Sequence, residues 1–329
     1  MSTMLVGTPK AFRAQQKYLP ILATLGLLVV MFAVGTYRYT GFLSGQVVLN
    51  LFIDNASLIV VAVGMTFVIL TGGIDLSVGS MIALSTMISA ALVQGQGWPP
   101  FLVIPLVLAV GAAFGFAMGC IIHYFEIQPF IVTLAGMFLA RGVCYTISIE
   151  AISVSDPVFT WMAQTRIPMP GGSFASISAV VALIVVAVAF YVLHFLSLGR
   201  SVYAIGGNQQ SAALMGLPVA RTRITVYAIS GFCSALAGVI FTLYTLSGYG
   251  LHAVGMELDA IAAVVIGGTL LTGGYGFVAG ALLGSLVLGL IQTIITFQGT
   301  LSSWWTRIVV GGLVFLFILL QKLIGVRKA

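Results

Sequence analysis

The chain has 329 residues, of which 60% are hydrophobic and 6% are charged, and its formal net charge is +6. A soluble domain averages about a quarter charged residues, because its surface faces water. This composition therefore excludes a soluble enzyme and a nucleic-acid-binding domain. At about 20 apolar residues per span, the chain has room for roughly ten transmembrane helices.

Hydrophobic runs predict an all-α polytopic membrane protein with about ten transmembrane helices, some of them broken or re-entrant. One run, 257–271, is short for a crossing, which predicts a re-entrant or half helix there. The predicted organisation is an N-terminal segment 1–18, a membrane domain 19–323 with a polar loop at 199–222, and a tail 324–329. The ten runs are 19–37, 47–70, 76–95, 101–122, 129–149, 175–197, 223–247, 257–271, 276–297 and 305–323.

Basic residues predict the orientation. They cluster before the first run, around the 199–222 loop and after the last run, and positively charged loops stay in the cytoplasm. Both termini and the 199–222 loop are therefore predicted to be cytoplasmic, and the 150–174 loop to be outside. The four tryptophans fall at predicted outer ends, where indole rings favour the headgroup layer; they are Trp98, Trp161, Trp304 and Trp305.

Glycines carry two further signals. In the fourth run, Gly111, Gly115 and Gly119 share one helical face, which favours close helix packing, with a flexible gate as the alternative. The segment 71–79 also has a weak counterpart in 272–280, since both open with Thr-Gly-Gly after one apolar run and before another. Broken segments repeated in two halves are typical of transporters, although glycine-rich similarity also arises by chance.

Segment 70–80 reads Leu-Thr-Gly-Gly-Ile-Asp-Leu-Ser-Val-Gly-Ser. Its paired glycines interrupt a helix, which leaves Asp75 beside a helix start where a carboxylate is favourable. Asp75 is either a cap or a contact along a solute path. Arg141 lies inside a predicted span and must face a partner or water rather than lipid. Asp54 and Asp75 are its candidate partners, and a structural ion pair is favoured over substrate contact.

The loop at 199–218 encodes a helix of about two turns. Asn208 is a good N-cap, residues 209–215 are mostly helix formers, Gly216 supplies a left-handed stop and Pro218 prevents continuation. Such a helix is too short to be stable alone. Either a partner's groove or packing on the chain's own spans must hold it.

These segments resemble the permease subunits of ribose-type monosaccharide ABC importers over about residues 45–323. The similarity is carried by the Gly-Gly-Ile-Asp-Leu-Ser-Val-Gly run, by residues 129–134 with the following Arg141-Gly142, and by Ala-Ile-Gly-Gly-Asn at 204–208. Two further stretches, 257–268 and 299–306, are similar to one of the two permeases of a galactofuranose importer.

The resemblance implies a bacterial inner-membrane subunit that moves a monosaccharide by alternating access. Its partners would be an ATP-binding subunit docked on the 199–222 loop, a second, non-identical permease and a periplasmic sugar-binding protein. The chain has no Gly-x-x-x-x-Gly-Lys-Ser/Thr phosphate loop. It is therefore expected to bind no cofactor and to be no enzyme, with ATP and Mg used by the partner.

Two other classes of function are alternatives to an ABC permease. An ion-coupled sugar symporter uses intramembrane carboxylates and broken helices, but buried acids are scarce here and the capped loop helix would have no role. A membrane-embedded enzyme is disfavoured because the three histidines are not spaced as a ligand cluster.

The candidate site residues form two sets. The predicted coupling residues are Arg200, Gly206, Gly207, Asn208, Ala212, Ala213 and Gly216, and the predicted residues of the substrate path or its scaffold are Asn55, Thr71, Gly72, Asp75, Ser77 and Arg141.

Overall fold

The structure is a computed structural model that describes residues 10–300 and 304–326, with side chains from 20–300 and 304–319. Most of the chain is helical. The helices are α1 (Lys10–Arg38), α2 (Gly45–Asp54), α3 (Ala56–Leu70), α4 (Val78–Ala90), α5 (Pro100–Tyr124), α6 (Pro129–Ile147), α7 (Pro157–Gln164), α8 (Ile177–Phe195), α9 (Ser197–Gly207), α10 (Gln209–Leu214), α11 (Val219–Thr245), α12 (Met256–Ile266), α13 (Val278–Gln298) and α14 (Trp304–Val326). The strands are β1 (Ile152–Ser153), β2 (Arg166–Pro168), β3 (Phe174–Ser176) and β4 (Ser247–Gly248).

Seven helical segments in the described ranges are long and apolar enough to cross a bilayer: those of α1, α4 with its π-helical extension to Gly95, α5, α6, α8, α11 and α13. The pair α2 and α3, bent by 56°, makes an eighth. Every predicted run corresponds to one of these, to the short α12, or to α14, whose apolar part Trp304–Leu319 is below the length of a span. The multi-span helical fold is confirmed, whereas the count of about ten spans is not.

The two sides of the bundle are distinguished by two small helices. On the α7 side, the connection between α6 and α8 contains the antiparallel pair β2 with β3, and its strand β1 pairs with β4, which follows α11. The side chain of Gln46 in α2 bonds the backbone of Phe174 there. On the α10 side, the ends of α3 and α9 meet the chain between α12 and α13. These sides correspond to the predicted outer and cytoplasmic faces.

Helix α11 lies at the centre of the bundle and packs against α3, α4 and α5. The glycine strip of α5 makes this possible. A Cβ on Gly115 would stand 2.1 Å from the carbonyl oxygen of Tyr227, and Cβ atoms on Gly111 and Gly119 would approach the α11 backbone to 2.5 and 2.9 Å. The interpretation of this strip as a packing surface is confirmed, because no side chain fits between the two helices.

The short run at 257–271 becomes a half helix preceded by irregular backbone. We call residues 249–255 the unwound segment. It passes along α4, since Gly248 lies against Thr86 and the carbonyl of Ala253 lies against Gly79. From its end α12 continues to Ile266 and the α10 side. A half helix was predicted here; the unwound half was not.

Candidate functional site

Helix α10 is a capped helix at the edge of the bundle. The Asn208 side-chain oxygen accepts a hydrogen bond from the Ser211 N–H at 2.8 Å, as expected for an N-cap. Gly216 has φ +76°, the left-handed conformation of a helix stop. Within α10, the side chain of Ala212 is fully buried, while Leu214 at the C-terminal end of the helix is 90% exposed. The helix therefore packs against the rest of the chain through Ala212 and exposes apolar side chains at its C-terminal end.

Three glycine pairs meet directly beneath α10, and we call this contact the glycine junction. They are Gly72-Gly73 after α3, Gly206-Gly207 at the end of α9, and Gly273-Gly274 between α12 and α13. The Gly274 N–H donates to the Leu70 carbonyl at 2.9 Å. A Cβ on Gly206 would stand 1.8 Å from that carbonyl oxygen and 2.4 Å from the Gly274 nitrogen. Backbone touches backbone here because no side chain intervenes.

The junction joins the two Thr-Gly-Gly segments of the weak internal similarity. Gly273 lies against Gly72, so the two turns contact each other and the end of α9 contacts both. A second link is the Tyr203 hydroxyl, which donates to the Gly276 carbonyl at 2.8 Å. Displacement of α9 and α10 would therefore act at once on the chain entering α4 and on the chain entering α13.

Asp75 is a buried structural anchor at the start of α4. One carboxylate oxygen accepts from the Ser77 N–H at 2.9 Å and from the Ser77 hydroxyl at 2.6 Å. The other accepts from the Ser230 hydroxyl of α11 at 2.7 Å. The side chain is fully buried. Asp75 is therefore not the N-cap of α4, since that position is Ser77 and carries no side-chain cap bond; its carboxylate instead closes a local turn before the helix and ties the α3–α4 break to the central helix.

Arg141 binds backbone rather than a carboxylate. Its guanidinium donates to the carbonyls of Gly250 at 2.5 Å and His252 at 2.9 Å, both in the unwound segment. The prediction that Asp54 or Asp75 is its partner is wrong. Unwound backbone at membrane depth must have its polar groups satisfied by protein or water, and Arg141 supplies two such donors.

A cavity of about 210 Å³ lies at the bend between α2 and α3, bounded also by α11, α12, α13 and α14, and we call it the polar cavity after the polar side chains within its largely apolar lining. Its lining includes Asp54, Asn55, Tyr244, Asp259 and Gln292. The Tyr244 hydroxyl lies 3.5 Å from the Asp54 carboxylate. No group of three or more His, Cys, Asp or Glu side chains in the described ranges could hold a metal ion.

Comparisons with known proteins agree on one family. The profile described as "Branched-chain amino acid transport system / permease component" matches residues 47–319. The inner membrane ABC transporter permease protein YjfF of Escherichia coli K12 is 48% identical over 307 residues, 93% of each chain. The chain belongs to the ABC transporter permease family. It is therefore a transport subunit of an ABC importer rather than an enzyme.

Other relatives of the permease are named as sugar importers. The fructose import permease FruG of Bifidobacterium longum is 40% identical and covers 95% of this chain and 93% of its own. The ribose import permease RbsC of Haemophilus influenzae is 37% identical, covering 92% and 93%. No solved structure matches the chain significantly.

The predicted coupling residues lie together in the permease, whereas the predicted path residues are divided. Arg200, Asn208, Ala212, Ala213 and Gly216 lie on or beside α10, and Gly206 and Gly207 are in the junction beneath it. The path set occupies three places: Thr71 and Gly72 in the junction, Asp75 and Ser77 at the buried anchor, and Arg141 on the unwound segment. Asn55 lines the cavity.

Sequence reasoning missed most of the polar cavity. The sequence patterns indicated Asp54 only as a partner for Arg141, and they did not indicate Tyr244, Asp259 or Gln292 as site residues. The available signal was the presence of ionisable residues inside apolar runs, which is itself a sign of function in membrane proteins. The glycine pairs that interrupt apolar runs, by contrast, indicated the residues of the glycine junction.

Proposed function

We propose that this permease imports a monosaccharide, galactofuranose or a related sugar, by alternating access. The names of the fructose and ribose relatives support sugar as the substrate class. The two stretches that resemble a galactofuranose permease favour that sugar. An ion-coupled symporter would leave the capped helix α10 without a role.

The observation that carries the proposal is the exposed apolar end of α10. Leu214 is 90% exposed and Met215 is 69% exposed, at the end of a helix in which only Ala212 is buried. Exposed apolar tips held in fixed geometry favour insertion into a groove of another protein. Beside them, a groove of about 400 Å³ is lined by Arg200 and Arg221, among others, and offers positive charge to an acidic rim.

The proposal includes three partners. An ATP-binding subunit would grip α10 on the cytoplasmic side and would supply the ATP and Mg chemistry. A second permease, of a different sequence, would pair with this one. A periplasmic binding protein would deliver the sugar at the α7 side, and both termini would be cytoplasmic in the bacterial inner membrane.

In this mechanism, closure of the ATPase pair moves α10, and the glycine junction passes the movement to α3, α4 and α13. The buried Asp75 anchor extends it to α11. The helices that bound the polar cavity therefore change their relative positions when ATP binds, which opens the path alternately to the two sides.

The test is Leu214→Asp in the complete complex, with Ile149→Asp as the control. Ile149 is 75% exposed on the opposite side of the bundle, so it receives the same apolar-to-acidic change. We expect Leu214→Asp to abolish co-purification of the ATPase subunit while the permease still inserts. Equal ATPase recovery with both variants would contradict the assignment of α10 as the docking helix.

A further inference from the structure

The polar cavity at the α2–α3 bend has properties that a lipid-facing surface cannot have. Asp54, Tyr244 and Gln292 are exposed around it, and Asp259 is partly exposed. Helix α2 begins on the α7 side, and its ten residues place Asp54 about 14 Å further along the helix axis. Ionisable side chains at such depth face protein or water-filled space, not acyl chains.

The cavity has the chemistry of a site for a neutral sugar. Its carboxylates and amides accept and donate hydrogen bonds to hydroxyl groups, and the Tyr244 ring offers an aromatic edge. Its volume of about 210 Å³ is below the roughly 300–1,000 Å³ of pockets for drug-sized ligands. A single monosaccharide ring fits this space, and an oligosaccharide does not.

The two carboxylates in the cavity differ in whether a positive charge compensates them. Arg307 pairs with Asp259 at 2.9 Å, which compensates one carboxylate and fixes its orientation. In the described ranges, Asp54 forms no ion pair and contacts only the distant hydroxyl of Tyr244. The Asp54 carboxylate is therefore uncompensated, and Glu257 adds a second negative charge close to Asp259; these charges repel sugar acids and sugar phosphates and leave acceptor positions for neutral hydroxyls.

We infer that Asp54, Asn55, Tyr244, Asp259 and Gln292 form a monosaccharide-binding subsite in the α7-side half of the path, with Arg307 as the positioning residue of Asp259. This inference rests on the proposed import function. The orientation of the Asn55 side chain is fixed, because it donates to the Leu51 carbonyl at 2.9 Å and packs against Gly289. The bend thus presents its polar groups to the cavity on a rigid support.

The experiment uses the complete complex of permeases, ATPase and binding protein in proteoliposomes, with labelled D-galactose, D-ribose, D-fructose and D-allose as probes. Uptake of the best-transported probe is compared for wild type, Asp54→Asn and Asp259→Asn. Glu150→Gln, an exposed carboxylate outside the cavity, is the matched control. We expect a reduction of about tenfold or more for the two cavity variants, because each loses a charged acceptor. ATPase recovery and the permease pairing are expected to stay unchanged.

Uptake at wild-type rates in both cavity variants would overturn the subsite, as would loss of permease pairing, since the residues would then be interface contacts. A wild-type complex that recovers no ATPase would instead refute the proposed function itself. Met256→Cys, in a chain whose Cys120, Cys144 and Cys233 are replaced by Ala, supplies an independent readout, because Met256 lines the same cavity and is partly exposed. We expect the best-transported probe to slow labelling of that thiol by a membrane-impermeant reagent, and unchanged labelling would count against the subsite.

Discussion

The glycine junction predicts a sharp difference between two neighbouring glycines. In Gly206→Ala, the new Cβ would stand 1.8 Å from the Leu70 carbonyl oxygen, and ordinary contact begins at 3.4 Å. The chains must therefore separate by 3.4 − 1.8 = 1.6 Å. In Gly207→Ala, the new Cβ meets nothing within 4 Å.

The magnitude follows from this geometry. Overpacking of a filled interior costs about 1–3 kcal/mol, and the obstacle here is backbone, which cannot rotate away. Separation also breaks the hydrogen bond from Gly274 to Leu70, which contributes about 1 kcal/mol. We expect Gly206→Ala to destabilise the α10 side by about 2–4 kcal/mol. Gly207→Ala should be neutral or slightly stabilising, because alanine favours helix over glycine.

The assay pairs a thermal unfolding midpoint of the purified complex with the number of sugar molecules moved per ATP hydrolysed. Gly206→Ala should lower the midpoint and reduce sugar transport per ATP, because α10 would move without carrying α3 and α13 with it. Gly207→Ala should match wild type in both measurements. Indistinguishable results for the two variants would refute the junction as the route of coupling.

Three further predictions follow. Gly216→Val should lower sugar uptake without reducing membrane insertion, because valine resists φ +76° by about 1–2 kcal/mol; Gly216→Asn should retain most uptake, and equal uptake by both variants would count against this reasoning. Arg141→Gln should lower the unfolding midpoint, because two carbonyls of the unwound segment lose their donor at about 1–3 kcal/mol each. Arg141→Lys should lower the unfolding midpoint less than Arg141→Gln does. A midpoint equal to that of the wild type in Arg141→Gln would contradict the assigned contacts. Asp75→Ala should destabilise more than Ser230→Ala, since it removes three accepted hydrogen bonds rather than one; the reverse order of unfolding midpoints would disprove the anchor.

Local signals in the sequence predicted much of the α10 side. Asn208 and Gly216 are a cap and a stop whose effects depend on a few neighbouring residues, so the position of α10 followed from the sequence to within one residue. The Thr-Gly-Gly breaks were also readable, because paired glycines interrupt helices wherever they occur. That the two breaks touch each other was not readable, since it depends on packing between elements about 200 residues apart.

The remaining differences arise where tertiary packing overrides a local pattern. Residues 47–70 were predicted as one apolar run, although Asp54 and Asn55 interrupt it and such residues favour helix starts; the 56° bend, which occurs where Asn55 ends α2 and begins α3, was therefore missed. Arg141 indicated a buried partner, and opposite charge was the natural expectation. Its true partners are carbonyls of the unwound segment, and although Gly250 and Gly255 mark that segment as a helix break, no local pattern shows that it lies beside Arg141.

The central claim is that this permease is a conduit driven by a separate ATPase bound to α10. Sugar uptake into proteoliposomes tests it most directly, with the permease pair and binding protein reconstituted with and without the ATPase subunit. We predict no concentrative uptake without the ATPase under either a proton or a sodium gradient, and ATP-dependent uptake with it. Concentrative uptake driven by an ion gradient in the absence of the ATPase would contradict the account.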